Sequence, residues 1–399
     1  ARPSAPAPVT AGEPALRVER LGSIRDIDRT LWDAHMGEAG ACDWNAMALA
    51  EGVFREAEQP EHRWSFDYLI ARDAQGAARG MTFLTTTLLK DDMLARDAVS
   101  KAVEARRLRD RYFLTSRATM VGSLLSEGPH LWLDRQGPWR AAMRALLHEA
   151  EAVHDARGSS VLMIRDLPGD DAEMDALTQT EGFARVPMLD RHELTPTWRD
   201  GDGLVAAAKR RARPELRRVV DAAAGYDVRF WGHNGDPGRE TGDGLDIEHL
   251  HALYLNVASR RMALNIYPFP SRLIAALLRS PSWDVATLHL RAGGPDGDRP
   301  VAWFAAYAHG ALYLPFYCGL DYDYVRTHGA YRQTLYQAAL RGIARGARRI
   351  DFGMDAEFEK HRFGAVATPT CVYVRAADHY NGEVLREIIA EVGVRRASA

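Results

Sequence analysis

Two stretches of the 399-residue chain carry the same order of strands and helices, and this repetition restricts the fold more than any other feature. In each stretch, strands recognised by period-two alternation precede a long helix, and a strand, a helix and a strand follow it. The long helices are predicted over 138–155 and 330–345, and Gly158 and Gly346 supply the usual end of a helix. A repeat of about 180 residues is too long for a solenoid and indicates duplicated domains.

The predicted elements of the two halves can be matched along the chain. The first half has strands over 64–72, 81–89, 131–133, 161–165 and 186–194, and helices over 91–109, 138–155 and 170–180. The second half has strands over 284–291, 301–309, 311–320, 349–352 and 370–375, and helices over 330–345 and 355–362. Leu133-Asp134 corresponds to Leu320-Asp321, and Ile164-Arg165-Asp166 corresponds to Ile350-Asp351. This order predicts an α/β fold in which each half forms a mixed sheet covered by helices.

Composition restricts the class of function. A net charge of −3 and a pI near 6.6 give no overall attraction to nucleic acid. The three cysteines, Cys42, Cys318 and Cys371, have neither metal-site nor disulfide spacing, so we expect no metal and a reducing, cytoplasmic setting. No apolar run approaches the length of about 18 residues that a membrane span needs, so no membrane span is expected.

The chain opens with a Pro/Ala-rich segment over 1–14, whose composition is that of a semi-rigid linker. It is consistent with a module cut from a longer polypeptide or with a disordered N-terminus. The predicted domains are then 15–197 and 198–399.

The duplicated order of elements resembles the Gcn5-related N-acetyltransferase (GNAT) fold in tandem. Two motifs in the second half strengthen this resemblance. The basic run from Lys209 to Arg218 is similar to the helix that opens the second domain of Fem-type and BioF2-like acyltransferases, and Lys360-His361-Arg362-Phe363-Gly364 is similar to their Lys-x-x-Phe-Gly element. Fem-type proteins usually have an aromatic residue directly before this lysine, whereas this chain has Glu359. The resemblance implies two GNAT-like domains with the active site in the second.

The resemblance also implies a donor site. In the GNAT fold the pyrophosphate of coenzyme A binds where the long helix begins, since a helix N-terminus offers unpaired N–H donors. The corresponding run is Arg326-Thr327-His328-Gly329-Ala330-Tyr331, which makes Arg326, Gly329 and Ala330 the expected cofactor-binding residues. The first half has Arg135-Gln136-Gly137-Pro138 there, and its proline removes one donor. The expected donor is therefore an acyl-CoA or acyl-carrier-protein thioester bound in the second half.

Acyl transfer to an amine requires a neutral amine, a route for its proton and stabilisation of the oxyanion. Asp351, at the end of a strand, is the leading base candidate, with Asp355 and Glu357 as substitutes; its alternative role is that of a helix N-cap. Lys360 is predicted to stabilise developing negative charge, or else to pair with neighbouring glutamates. Tyr317 is predicted to protonate the leaving thiolate, or else to form part of the wall of an acyl pocket.

The segment from Ser259 to Pro270 mixes arginines, an amide and aromatic residues. In the GNAT architecture this region lines the acceptor side, so the resemblance implies that Arg261, Asn265 and Tyr267 bind the acceptor. Arg362 is a further candidate for an anionic acceptor. The alternative is an ordered connector whose arginines extend along the surface.

Three functions remain open from the sequence. The first is an N-acyltransferase that moves an acyl group from a thioester to a small-molecule amine by direct attack. The resemblance to BioF2-like domains places such an enzyme beside, or fused to, a pyridoxal-phosphate (PLP) enzyme. The second is a Fem-type amide ligase that uses aminoacyl-tRNA, and the third is a binding module without catalytic activity.

Overall fold

The computed structural model describes residues 16–232, 240–242, 244–260, 264–293, 298–376 and 383. The strands of the first half are β1 (Arg17–Leu21), β2 (Ser65–Arg72), β3 (Ala78–Lys90), β4 (Thr115–Val121), β5 (Leu131–Leu133), β6 (Val161–Pro168), β7 (Ala184–Pro187) and β8 (Arg191–Leu194). Its helices are α1 (Arg29–Met36), α2 (Trp44–Phe54), α3 (Asp97–Arg107), α4 (Trp139–Ala156) and α5 (Ala172–Thr180).

The strands of the second half are β9 (Tyr226–Gly232), β10 (Glu240–Thr241), β11 (Trp283–Leu290), β12 (Ala302–His309), β13 (Leu312–Leu320), β14 (Arg349–Met354), β15 (Val366–Thr368) and β16 (Thr370–Ala376). Its helices are α6 (Gly201–Ala207), α7 (Arg213–Ala222), α8 (Ile247–Ala258), α9 (Ser271–Arg279), α10 (Tyr322–Thr327), α11 (Ala330–Ala344) and α12 (Glu357–Arg362).

Two local features mark helices in this chain, an apolar stripe along one face and a polar side chain that caps the first turn. In α4 the buried residues recur at helical spacing, from Trp139 through Ala142, Met143, Leu146 and Leu147 to Ala150 and Val153. Aspartate side chains accept a backbone N–H at the start of several helices, as Asp171 does for α5 and Asp321 for α10. The long helices α4 and α11 have no side-chain cap, and they lie within a residue or two of the predicted positions.

Two mixed sheets confirm the predicted fold class. The first has the order β1-β2-β3-β4-β6-β16-β7, with β5 beside β3, and the second has the order β10-β9-β11-β12-β13-β14-β8-β15. In both sheets an antiparallel series leads to a central parallel pair, β4 with β6 and β13 with β14. The β4 strand was not among the sequence-predicted elements.

The two sheets exchange strands. The β8 strand, from the first half, lies between β14 and β15 in the second sheet. The β16 strand, from the end of the second half, lies between β6 and β7 in the first sheet. The sheets therefore do not follow the predicted division between residues 197 and 198.

A large hydrophobic core lies between the halves and includes residues of both, among them Trp32, Tyr68, Trp303 and Tyr317. A second core packs under α11 and a third under α4. The functional surfaces described below lie where the first of these cores meets β13. None of the helices in the described part of the chain is long and apolar enough to cross a membrane.

Candidate active site

The parallel strands β13 and β14 pair over a very short length. Their register consists of Leu312 with Arg349 and Tyr313 with Ile350. On its other side β13 stays paired with β12, but the register skips Phe316, which is a β-bulge. Past Tyr313 the edge of β13 therefore turns away from β14, and the two strands form a fork.

A cavity of about 1070 Å³, including its open mouth, fills this fork; we call it the fork cleft. Residues of β13, β14, α8, α11 and α12 line it. Its polar and ionisable lining residues include Cys318, Tyr331, Thr334, Asp355 and Lys360.

The predicted cofactor-binding residues lie where α11 begins. Gly329 precedes the helix with a left-handed φ of 69°, and no atom lies within 4 Å of where its Cβ would be, so the backbone there is openly accessible. Arg326 is exposed in the last turn of α10, and Ala330 is buried as the first residue of α11. The next residue, Tyr331, lines the fork cleft. The structure thus brings the start of α11 to the cleft, although Arg326, Gly329 and Ala330 do not line it.

A second cavity, the interdomain cavity, adjoins the bulge and has a volume of about 760 Å³, including its opening. Both halves of the chain contribute to its walls, which are mainly aliphatic and aromatic. Glu127 and Arg165, from the first half, are the charged residues among its described lining. Four residues line both this cavity and the fork cleft: Val257, Phe316, Tyr317 and Cys318. The two cavities therefore adjoin at the bulge of β13.

Asp351, the leading base candidate, lines neither cavity. Its carboxylate is fully buried, forms an ion pair with Arg191 of β8, and accepts the N–H of Gly353 at 2.8 Å. Because β8 comes from the other half of the chain, this ion pair joins the two halves within one sheet. Of the predicted substitutes, Asp355 lines the fork cleft, whereas Glu357 lies on α12 and lines neither cavity.

Glu127 reaches from the first half to the turn that follows β14. Its Oε2 accepts the N–H of Met354 at 2.5 Å, and its side chain is buried. Gly353 lies beside this carboxylate and has a left-handed φ of 70°. A Cβ at this position would overlap Glu127 Oε2. Glu127 thus places a buried carboxylate between the interdomain cavity and the turn that follows β14, whereas Asp351 lines neither cavity.

Lys360 holds the same turn from the other side. Its Nζ donates to the carbonyl oxygens of Gly353 at 3.0 Å and Met354 at 2.6 Å. Asp355 and Ala356 have left-handed φ values of 66° and 52°, which are costly for residues with a Cβ. Lys360 is buried, lines the fork cleft, and fixes a strained turn whose residues also line it.

Tyr317 lines both cavities, and its hydroxyl donates to the carbonyl of Leu125 at 2.7 Å. Burial raises the pKa of this phenol well above its usual value, so it is protonated at neutral pH. Its proton is directed at a backbone carbonyl of the first half.

Arg362 lies in an ion-pair network on the surface. It pairs with Glu359, which also binds Arg332 of α11, and its guanidinium stacks on Phe358. Arg332 in turn pairs with Glu215 of α7. Arg362 lines neither cavity, and its partner Glu359 is a neighbour at helical spacing.

Of the predicted acceptor residues, the structure describes Asn265 and Tyr267. Arg261 lies outside the described residues. Asn265 is buried and bonds to Lys90, Asp92 and Glu104 of the first half, at 2.8 to 3.1 Å.

Tyr267 shares a hydrogen bond with Thr115 at 2.7 Å and lies under the ammonium of Lys90. Side chains alternate along this segment, so that Leu264, Ile266 and Pro268 line the interdomain cavity while Asn265 and Tyr267 point to the first half. The structure thus brings the segment to the cavity, but through different residues from those predicted.

Sequence reasoning missed Glu127 and assigned no site role to Arg165. Glu127 lies in the run Ser126-Glu127-Gly128-Pro129, whose Gly-Pro pair signals a loop but no chemistry. Arg165 lies in Ile164-Arg165-Asp166, the counterpart of Ile350-Asp351, and this correspondence is the sequence signal by which it could have been found. In the described ranges, no group of His, Cys, Asp and Glu side chains is arranged to hold a metal ion.

Comparisons with known proteins agree with this architecture. A family model described as "Acetyltransferase (GNAT) domain" matches residues 206–361. The crystal structure of FemX superposes with a TM-score of 0.54 at 12% identity, covering 93% of this chain and 99% of FemX. No curated protein matches the sequence significantly.

Two further solved structures are similar at lower TM-scores. The tandem GNAT protein from the clavulanic acid biosynthesis pathway has a TM-score of 0.46 and 14% identity, covering 91% of this chain and 99% of its own. The C-terminal domain of a putative lysylphosphatidylglycerol synthetase from Agrobacterium fabrum has a TM-score of 0.49 and 10% identity. The match covers 90% of this chain and 94% of that domain.

The FemX likeness, at low identity, shows the fold alone, and the family model covers the part of the second half that contains the fork. Together with the two mixed sheets, these findings show that the chain has a tandem GNAT-like fold, similar to the fold of FemX.

Proposed function

We propose that this protein transfers an acyl group from a coenzyme A or carrier-protein thioester to an amine, with the thioester in the fork cleft and the amine in the interdomain cavity. The divergence of β13 from β14 after only two residue pairs carries this proposal. It opens the fork cleft at the bulge, where the interdomain cavity adjoins it, so that two substrates can meet there.

The donor side suits the phosphopantetheine arm that coenzyme A and carrier proteins share. Such an arm is linear and contains amides, and an open strand edge binds extended amide chains through backbone hydrogen bonds. The start of α11 would receive the phosphates of coenzyme A, with the N–H groups after Gly329 and the charge of Arg326 nearby. The first half is less suited, because β4 pairs with β6 as far as its last residue, Val121, and leaves no such fork.

The chemistry requires that the amine lose a proton and attack the thioester carbonyl. Glu127 is the carboxylate on the acceptor side, and in this proposal it takes the role expected of Asp351, which is held by Arg191. The nitrogen–carbon bond forms as the carbon–sulfur bond breaks. The ammonium of Lys360, at the wall of the fork cleft, lowers the energy of the negative charge that develops, and the neutral phenol of Tyr317 lies between the two cavities.

The alternative is the Fem-type reaction, in which an aminoacyl-tRNA is the donor. One observation favours it besides the FemX fold: Lys209, Arg210 and Arg211 form an exposed basic segment before α7. Phosphate contacts of this kind position nucleic acid without selecting a sequence. The cavity at the bulge would then accept an aminoacyl ester in place of a thioester.

Thermal unfolding with each donor separates the two functions. Acetyl-CoA or octanoyl-CoA at millimolar concentration is expected to raise the unfolding temperature by several degrees, because a ligand that binds only the folded state stabilises it. A shift with charged tRNA, and none with either thioester, would replace the proposal by the Fem-type alternative.

Glu127→Gln tests the assignment of the proton acceptor. The amide can still accept the N–H of Met354 but cannot take a proton, so kcat is expected to fall about 10²-fold or more while CoA binding is unchanged. Glu38→Gln is the matched control, because Glu38 also reaches across the halves to accept a backbone N–H, that of Ala311 at 2.9 Å, but lines neither cavity. Equal activities for the two variants would remove Glu127 from the mechanism.

A further inference from the structure

The interdomain cavity combines apolar walls with one carboxylate and one guanidinium. Leu124, Ile266 and Phe269 are typical of its walls, whereas Glu127 and Arg165 are its charged lining residues within the described part of the chain. Both charged side chains are buried, with 3% and 4% of their surface exposed. Charges this deep are costly unless they are matched by partners, by a ligand or by both.

Arg165 has donors beyond those that its protein partners take. Its Nη1 donates to the carbonyl of Ser123, and its Nη2 lies 3.2 Å from Asp166 Oδ2. Its Nε–H is buried and meets no acceptor among the described residues. A guanidinium carries five N–H donors in a planar fork that matches a carboxylate. A ligand carboxylate in the cavity would therefore complete the coordination of this side chain.

An apolar ligand alone fits this cavity poorly. A long acyl chain would satisfy the aliphatic walls but would bring no acceptor to the buried Nε–H of Arg165. A simple alkylamine would place its ammonium by Glu127 but would likewise bring no acceptor to the Nε–H of Arg165. A molecule that carries an ammonium, a carboxylate and an apolar side chain matches all three parts of the wall.

We propose that the amine acceptor is a small amino acid with an apolar side chain, held by its amino group on Glu127 and by its carboxylate on Arg165. This inference rests on the proposed function. The ammonium gives one proton to Glu127, and the neutral amine then forms the new nitrogen–carbon bond as the carbon–sulfur bond breaks. The second nitrogen proton leaves with the thiolate as a thiol. The product is an N-acyl amino acid whose carboxylate is unchanged.

Matched acceptors test the inference on the wild-type protein. Thiol release from acetyl-CoA is measured with leucine and phenylalanine, and with 3-methylbutylamine and 2-phenylethylamine, which have the same side chains without the carboxylate. The kcat/KM for each amino acid is expected to exceed that of its amine about 10²-fold, the size of effect typical for a hydrogen bond to a charged group. Equal values for acid and amine would overturn the inference while leaving the proposed function intact.

Donor length tests the competing occupant of the cavity. If octanoyl-CoA outperforms acetyl-CoA strongly with every amine, and amino acids have no advantage, the cavity holds the acyl chain and the inference is wrong. If the thioester releases no thiol with any of the amines, and no thioester raises the unfolding temperature, the proposed function itself fails. The two failures are therefore distinguishable.

Arg165→Gln adds a test at the residue. The variant is expected to raise KM for leucine at least tenfold, with little change for 3-methylbutylamine, so that the preference for the amino acid is lost. Arg117→Gln is the control, because Arg117 is exposed on β4 and bonds only to a backbone carbonyl among its described neighbours. If Arg165→Gln unfolds, the comparison of amino acids with amines on the wild-type protein decides the question. If the variant folds and still prefers leucine to 3-methylbutylamine as strongly as the wild type does, Arg165 does not bind the carboxylate.

Discussion

Gly353 lies beside the proposed site, where Glu127 of the first half meets the turn after β14. It has a left-handed φ of 70°, and a Cβ there would overlap Glu127 Oε2. Gly353→Ala is therefore expected to lower the free energy of unfolding by about 3 kcal/mol, from backbone strain and from displacement of the Glu127 carboxylate. Urea denaturation measures the loss.

Gly346→Ala separates these two causes. Gly346 has a similar φ of 79°, but no atom lies within 4 Å of the place that a Cβ would take. Its substitution should cost only the conformational strain, about 1 kcal/mol. If both variants lose the same stability, contact with Glu127 does not explain the need for glycine at 353.

Asn265 links the halves through a buried polar network. Its Nδ2 donates to Asp92 and Glu104, both at 2.8 Å, and its Oδ1 accepts from Lys90 at 3.1 Å. Asn265→Ala leaves these buried charges with fewer partners and is expected to cost about 2 to 4 kcal/mol of stability, with KM for the amine unchanged.

Asn45→Ala is the comparison for Asn265, because Asn45 also bridges the halves, through a single long hydrogen bond of 3.4 Å to Ser282. Its substitution should cost well under 1 kcal/mol. A large rise in amine KM for Asn265→Ala, with stability intact, would restore the acceptor-binding role predicted from sequence.

At the scale of the elements, the exchange of strands makes each sheet depend on both halves. Without β16, strand β6 loses one of its two neighbours and β7 loses its only described partner in the first sheet. Without β8, β14 and β15 lose the strand that joins them. Unpaired edges of this kind favour aggregation over folding.

Fragments 1–197 and 198–399 are therefore expected to be insoluble or unfolded when each is expressed alone, and to form a folded complex when expressed together. Circular dichroism and size-exclusion chromatography report the outcome. The full-length protein, cleaved after folding at one exposed loop, is the control for the effect of an interrupted backbone. A fragment that folds alone with a cooperative transition would contradict the dependence on exchanged strands.

Local sequence signals predicted most elements but not their pairing. Helix α4 and strand β13 carry strong apolar patterns, and both were found where expected. Strand β4 was missed because its polar residues are buried through hydrogen bonds, as when Thr119 bonds to Thr86 at 2.9 Å, so it lacks an alternating pattern. The partners of β8 and β16 depend on contacts about 180 residues apart, which alternation along one strand does not encode.

At the scale of the whole molecule, the proposed site depends on contacts between distant parts of the chain. The fork itself follows from elements that the sequence predicted. The position of Glu127 beside Met354, by contrast, results from how the halves pack, and no local pattern marks it. Asp351 was a reasonable candidate by its place on a strand, but its partner Arg191 comes from an exchanged strand that the sequence did not reveal.

The same packing buries Asp166 among charges from both sheets, and this predicts a pH dependence of stability. Burial, with a smaller contribution from Glu127, raises the pKa of Asp166 from 3.8 to about 6, although Arg165 and Arg191 oppose the shift. The folded state then binds more protons than the unfolded state between these pH values. The contribution of Asp166 to stability is therefore full below pH 3.8 and is lost as the pH rises through about 6.

Asp166→Asn removes this titration and keeps a residue that tolerates the left-handed φ of 56° at this position. The quantity to compare is the free energy of unfolding of the variant minus that of the wild type. It should be higher at pH 7.5 than at pH 4.5 by about 2 kcal/mol, since each pKa unit is worth about 1.4 kcal/mol. Urea midpoints at the two pH values measure the difference, and Asp170→Asn, at an exposed position, should show no such change. If the difference in free energy of unfolding between Asp166→Asn and wild type does not change with pH, Asp166 is already ionised at pH 4.5 in the folded protein. The arginines from the two sheets, Arg165 and Arg191, would then outweigh the effect of burial on its pKa.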